Sequence, residues 1–161
     1  MTAESERKPR LRRLEGVYVR SPIYFVTACT AERKPLLANE SIHQAFVTYS
    51  RQAEKHGTHV GAYVLMPDHM HLFVHPSDLS PSLETWIKSL KNSLSKILRA
   101  TGRSSPHWQK GFFDHVLRSG ESYSQKWHYV RNNPVRAKLV SEWEDWPYVG
   151  EIHPLEYTSN R

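Results

Sequence analysis

The stretch from His59 to His75 constrains the fold more than any other part of the chain. Two runs, 59–65 and 69–75, are rich in β-branched, aromatic and other apolar residues and flank the short connection Met66-Pro67-Asp68. Proline suits such a turn, because its fixed φ is already that of a turn position. The segment therefore reads as an antiparallel hairpin. In a strand, residues i and i+2 share a face. Met70, Leu72 and Val74 then point toward a core, while His69, His71 and His75 point the other way.

The flanking segments extend this unit. Residues 24–30 (YFVTACT) read as a strand bracketed by Pro22 and Pro35. Asn39 can cap a helix reaching about His56, with Ile42, Ala45, Phe46, Tyr49 and Ala53 at helical spacing and Gly57 as the stop. Ser80-Pro81 has the form of a second helix start, capping hydroxyl then proline, and Gly102 ends that helix. Residues 112–117 suit a fourth strand. Residues 121–133 suit a third helix, limited by Pro134. The tail from Trp143 reads as irregular. The order β-α-β-β-α-β-α predicts an α+β, ferredoxin-like split βαβ fold: an antiparallel sheet with helices packed on one face. With 161 residues and 39% hydrophobic content, one domain is expected, at residues 21–150. A basic N-terminal arm (1–20) would precede it and a tail (151–161) would follow.

Charge narrows the partner. The net charge of +6 is uneven: residues 1–20 carry six Lys/Arg against three acids, and residues 86–118 carry seven against one. An anionic partner is expected, with nucleic acid ahead of membrane. In 86–118 the cations are interleaved with Trp86, His107, Trp108 and Phe112, the mixture a single-stranded nucleic acid groove requires. Lys88, Lys91, Arg99 and Lys110 are candidate backbone contacts, and Trp108 and His107 candidate stacking groups. No run is long and apolar enough for a bilayer span. The single cysteine, Cys29, suits a reducing cytoplasm.

His69 and His71 could converge on one divalent cation, since their roots are about 7 Å apart on one face. Two half-exposed histidines on a sheet would give the same pattern. A third donor would have to come from elsewhere. Tyr129 and Asn133 are spaced i, i+4 and stack on one helical face. Asn133 offers an amide oxygen acceptable to Mg²⁺ or Mn²⁺. Tyrosine can act as a covalent nucleophile, although a core tyrosine fits the same position. Tyr123 projects about 120° away from Tyr129 around such a helix. His75 shares the ligand face and could support the pair from behind.

The hairpin YVLMPDHMHLFV (63–74) resembles the histidine–hydrophobe–histidine motif of the HUH enzymes. HYVRNNPVRAKLV (128–140) resembles the segment that carries the nucleophile in single-tyrosine HUH transposases. YFVTACTAERKPLL (24–37), WQKGFFDHVLR (108–118) and EDWPY (144–148) are supporting segments, and all the pieces stand in family order. The match is closest to the REP-associated tyrosine transposase branch. Lys138 departs from it, standing where that family usually has glycine. The resemblance implies a ferredoxin-like fold, with His69, His71 and Asn133 as ligands of Mg²⁺ or Mn²⁺ and Tyr129 as the nucleophile. It implies cleavage and rejoining of single-stranded DNA beside hairpins through a 5′-phosphotyrosine link. It also implies that Arg7, Lys8, Arg10, Arg12 and Arg13 of the arm meet DNA, that a monomer is favoured over a homodimer, and that the protein works in the bacterial cytoplasm at the nucleoid. A non-cleaving hairpin-binding protein is the alternative, as is a phosphodiesterase that uses water in place of tyrosine.

Overall fold

In the computed structural model, which describes residues 17–19 and 22–157, the expected hairpin forms the middle of the sheet. Strands β3 (Thr58–Leu65) and β4 (His69–Pro76) pair antiparallel, and the turn closes through a bond from the Met66 N–H to the His69 carbonyl, 2.8 Å. β2 (Ile23–Cys29) lies on the other side of β4, β5 (Phe113–Leu117) outside β2, and β6 (Val149–Glu151) outside β3. All four pairings of this five-stranded sheet, β5-β2-β4-β3-β6, are antiparallel. Strands β2 to β5 alone have the split βαβ arrangement expected, since β4 is inserted between β2 and β3. β1 (Val17–Val19) pairs in parallel with β7 (Leu155–Tyr157) as a separate two-stranded ribbon.

Each face of the sheet carries its own core. Helices α1 (Glu40–Ala53) and α2 (Leu83–Ala100) cover one face, where Ile42, Phe46, Trp86, Ile87, Leu90 and Leu94 pack on Val26, Met70, Leu72 and Val74. Helix α3 (Gly120–Val130) covers part of the other. Its Tyr123, Trp127 and Val130 pack with Ile23, Phe25, Phe73 and Trp146. The helices were expected on one face. α1 and α2 share one, and the third takes the opposite side because Phe25 and Phe73 make the histidine-bearing face apolar along half its length.

Local chemistry explains the ends. The Asn39 side chain accepts from the Ile42 N–H at 3.0 Å and opens α1; Gly57, at φ 86°, provides the left-handed exit after its last turn. α2 starts two residues later than expected. The Ser80 hydroxyl is engaged with Thr58 Oγ1 at 2.6 Å, and Ser82 caps instead, accepting from the Thr85 N–H at 3.1 Å. The third helix stops at Val130, and Asn133 begins the four-residue α4 (Asn133–Arg136), which has Pro134 in its first turn. Proline has no N–H to continue the α3 ladder but is pre-set for a helix start. The tail is also more regular than expected: β6 extends the sheet, and the Trp146 indole donates to the Leu65 carbonyl at 3.0 Å. Among the described residues no helix is long and apolar enough to cross a membrane.

α3 docks through a β-bulge. The pairing of β3 with β4 shifts between Val60 and Tyr63, and the Ala62 N–H turns to donate to the Tyr123 hydroxyl at 3.0 Å. Gly61 is required beneath it, because a Cβ there would stand 2.5 Å from that hydroxyl oxygen. Tyr123 is thus a buried structural residue.

Candidate metal and nucleophile site

His69 and His71 project from the same face at the start of β4, their rings edge to face with centroids 4.7 Å apart. The hydrogen bonds described for both rings use Nδ1. His69 Nδ1 lies 2.8 Å from Asp68 Oδ1, and Arg33 Nε donates to the other carboxylate oxygen at 2.9 Å. His71 Nδ1 lies 2.8 Å from the hydroxyl of Thr27, its neighbour across β2. A carboxylate on Nδ1 selects the tautomer with its proton there and leaves the Nε2 lone pair free.

The electrostatics favour this state. Burial pushes Asp68 up, but the bonds from His69 and Arg33 outweigh it and hold the carboxyl below its usual value. His71 is pushed down to about 3, first by burial and then by the charges of His69, Lys126, Arg136 and Arg33. It is a neutral imidazole at ordinary pH, the form in which histidine binds metal.

α3 and α4 bring the charges of Lys126 and Arg136 within electrostatic reach of His71. The His71 ring stacks on Phe25 with centroids 5.1 Å apart, and the Lys126 ammonium lies 4.9 Å from the Phe25 ring centre. The Arg136 guanidinium lies over the Tyr129 ring, 3.9 Å from its centre, and donates to the Asn133 side-chain oxygen. Tyr129 is 62% exposed. Arg136 therefore links the phenol and the amide oxygen, and its charge acts on His71.

The donor set suits a hard divalent cation. The imidazoles of His69 and His71 and the Asn133 amide oxygen, which also accepts from Arg136, are the candidate donors; no group of three or more His, Cys, Asp or Glu among the described residues could hold a metal. Such a set leaves coordination positions to water and phosphate oxygens, as Mg²⁺ and Mn²⁺ sites usually do.

Other candidates fall elsewhere. His75 is 6% exposed and separated from the pair by Phe73. Its ring stacks with His59 at 6.1 Å, and His59 meets His153 at 5.7 Å. Lys88, Lys91 and Lys110 line a groove of about 580 Å³ with Trp108, beside α2 on the opposite side of the sheet. Lys91 points inward there, donating to the carbonyls of Gln109 at 3.1 Å and Gly111 at 2.5 Å. Arg99 is exposed near the end of α2. His107 is buried between Ser95 and the Arg103 carbonyl, so it is not a free stacking group. Arg7, Lys8, Arg10, Arg12 and Arg13 lie outside the described residues. The cations that do gather at the imidazoles are Arg33, Lys126 and Arg136. Sequence reasoning missed all three, and it missed the roles of Thr27 and Asp68. Only Asp68, an acid directly before the first histidine, offered a local signal.

The family profile described as "Transposase IS200 like" matches residues 18–133. The chain belongs to the IS200-like transposase family. An Escherichia coli REP-associated tyrosine transposase is 24% identical over 135 residues, covering 81% of this chain and 77% of that protein. A Haemophilus influenzae protein assigned to the same group is 24% identical over 160 residues, covering 89% and 91%. A solved REP-associated tyrosine transposase bound to a REP hairpin shares the fold, with a TM-score of 0.66 and 23% identity over 83% of this chain and 78% of that one. In this IS200-like transposase the family match spans β1 to the first residue of α4, and so includes the histidine pair, Tyr129 and Asn133.

Proposed function

We propose that this transposase cleaves and rejoins single-stranded DNA beside a hairpin, with Tyr129 as the nucleophile. The observation that carries the reading is the joint geometry of two helices and one strand. Two imidazoles are held through Nδ1, and an exposed phenol and an amide oxygen are bound together by Arg136, whose charge reaches His71.

His69, His71 and Asn133 would hold Mg²⁺ or Mn²⁺. Such an ion supplies Lewis-acid polarisation of a phosphate and a template for its oxygens. The chain's own residues do the rest. Asp68 and Thr27 hold the imidazoles in orientation. Arg33, Lys126 and Arg136 draw the phosphate to this face. The Tyr129 oxygen attacks phosphorus in line, its proton passing to solvent, and the 3′-hydroxyl leaves. The bond formed is a 5′-phosphotyrosine ester, and the bond broken is the P–O3′ bond. Attack by a free 3′-hydroxyl reverses the exchange and rejoins the strand, so no nucleotide cofactor is consumed. The electrostatic reach of Arg136 to His71 of the same chain supports a site built within one monomer. The setting that suits this chemistry is the cytoplasm, at the nucleoid.

The test is a denaturing gel of the protein with end-labelled hairpin DNA carrying a single-stranded flank. A slow-migrating covalent species should form with Mg²⁺ or Mn²⁺, vanish with chelator and vanish in Tyr129→Phe, while hairpin binding by the variant persists. Binding without any adduct would favour a non-cleaving hairpin-binding protein. Cleavage to free ends without an adduct would favour water as nucleophile.

A further inference from the structure

Phe113 is 70% exposed, an unusual state for a large aromatic side chain on a sheet. Leu117, four residues on in β5, is buried in the core on the histidine-bearing face, so the alternation of β5 places Phe113 on that face too. The strand register fixes which residues it stands beside. Phe113 is the cross-strand partner of Thr27, and Thr27 is the partner of His71. His71, Thr27 and Phe113 therefore form one row across three strands, all on the face that bears the imidazole pair. With neighbouring strands about 5 Å apart, the Cα atoms of His71 and Phe113 are separated by roughly 10 Å.

Phe113 stands among exposed residues. Asp114 and His115 beside it are exposed, β5 is the edge of the sheet, and Gly111 before it is exposed too. Lys126 and Arg136 supply positive charge along the same face, and Asp68, the acid at the imidazoles, is neutralised by its ion pair with Arg33. This combination matches a strand of nucleic acid with its phosphate at the imidazoles and its adjoining base reaching sideways. A flat π-face accepts any base, and cations nearby hold its backbone.

We propose that Phe113 is a stacking platform for an unpaired nucleobase next to the scissile phosphate. This inference rests on the DNA-cleaving reading above. It adds a positioning residue on β5, which would hold the flexible single strand in register while Tyr129 attacks.

The experiment uses hairpin DNA with 2-aminopurine placed in turn at each single-stranded position around the cleavage site, bound to full-length protein carrying Tyr129→Phe. Quenching should peak at one position adjoining the scissile phosphate. Adding Phe113→Ala or Phe113→Leu should remove that quenching and weaken binding about tenfold, and Phe113→Trp should restore both. In the Tyr129 background, the same Phe113 variants should slow adduct formation. Leucine retains the apolar bulk without the ring, and thermal melting checks that each variant is folded. Wild-type adducts together with unchanged quenching and affinity in both Phe113→Ala and Phe113→Leu would overturn the platform and leave the cleavage reading standing. Failure of the wild-type protein to bind or cleave any such DNA would overturn that reading, and the platform with it.

Discussion

The Arg136 guanidinium lies 3.9 Å from the centre of the Tyr129 ring and also donates to the side-chain oxygen of Asn133. One cation thus ties the Tyr129 phenol of α3 to the Asn133 amide of α4. Replacing it should disorganise that pair without touching the core, because Arg136 is exposed. Arg136→Ala is expected to lower the rate of adduct formation about tenfold or more, with hairpin affinity reduced much less. Arg136→Lys should recover part of the rate, since it keeps the charge but loses the planar fork over the ring. Single-turnover gels at saturating protein measure both.

Asp68 acts on His69 rather than on substrate. Its carboxylate selects the imidazole tautomer, and Arg33 holds the carboxylate in turn. Asp68→Asn should weaken the metal requirement's apparent affinity by about 10- to 100-fold, with activity returning at high Mn²⁺. A Mn²⁺ titration of adduct yield reads this. An unchanged titration curve would show that the carboxylate does not tune a ligand.

The hairpin and its alternation could be read from composition alone, because a proline turn between two apolar strands leaves few other folds. So could the Asn39 cap and the side-by-side placement of His69 and His71. Which face each helix covers could not be read, because period and spacing are the same on either side of a sheet. The cations of 86–118, candidate backbone contacts by their interleaving with aromatics, include Lys88, Lys91 and Lys110 in a groove on the face of the sheet opposite the imidazoles. Arg33, Lys126 and Arg136 reach the site only through a left-handed turn, a helix docking and a helix break at Pro134. None of these leaves a pattern in spacing. β6 and β7 are three-residue strands and are stabilised by partners remote in sequence.

Lys91 was expected to track a nucleic acid backbone, and its geometry predicts a different phenotype. Its ammonium satisfies two loop carbonyls, at Gln109 and Gly111, beneath Trp108. Lys91→Met leaves both without that donor and should cost about 1–3 kcal/mol of stability. Lys88→Met, on the exposed side of the same helix, should change stability by less than about 0.5 kcal/mol. Chemical denaturation of the two variants distinguishes a loop clamp from a surface cation.

Burial lowers the pKa of His59, with a further contribution from the charge of His153, and burial likewise lowers that of His75. The folded state therefore binds fewer protons than the unfolded chain below the ordinary imidazole value of about 6.5. His71, pushed down to about 3, adds to the same effect. Stability should be level near neutral pH and decline as the pH falls below about 6.5. His75→Gln should make the decline shallower without removing it. Melting temperatures across this range give the result, and a wild-type stability independent of pH would contradict the assignment of these rings as buried and neutral.

In the proposed reaction the phenol of residue 129 becomes esterified to a 5′-phosphate of DNA. Peptide mapping by mass spectrometry of the covalent species, after nuclease trimming of the DNA, tests this bond itself. A nucleotide phosphate is expected on the peptide containing Tyr129, absent when metal is withheld. A modification mapped to a different residue, or cleaved DNA with no modified peptide at all, would contradict it.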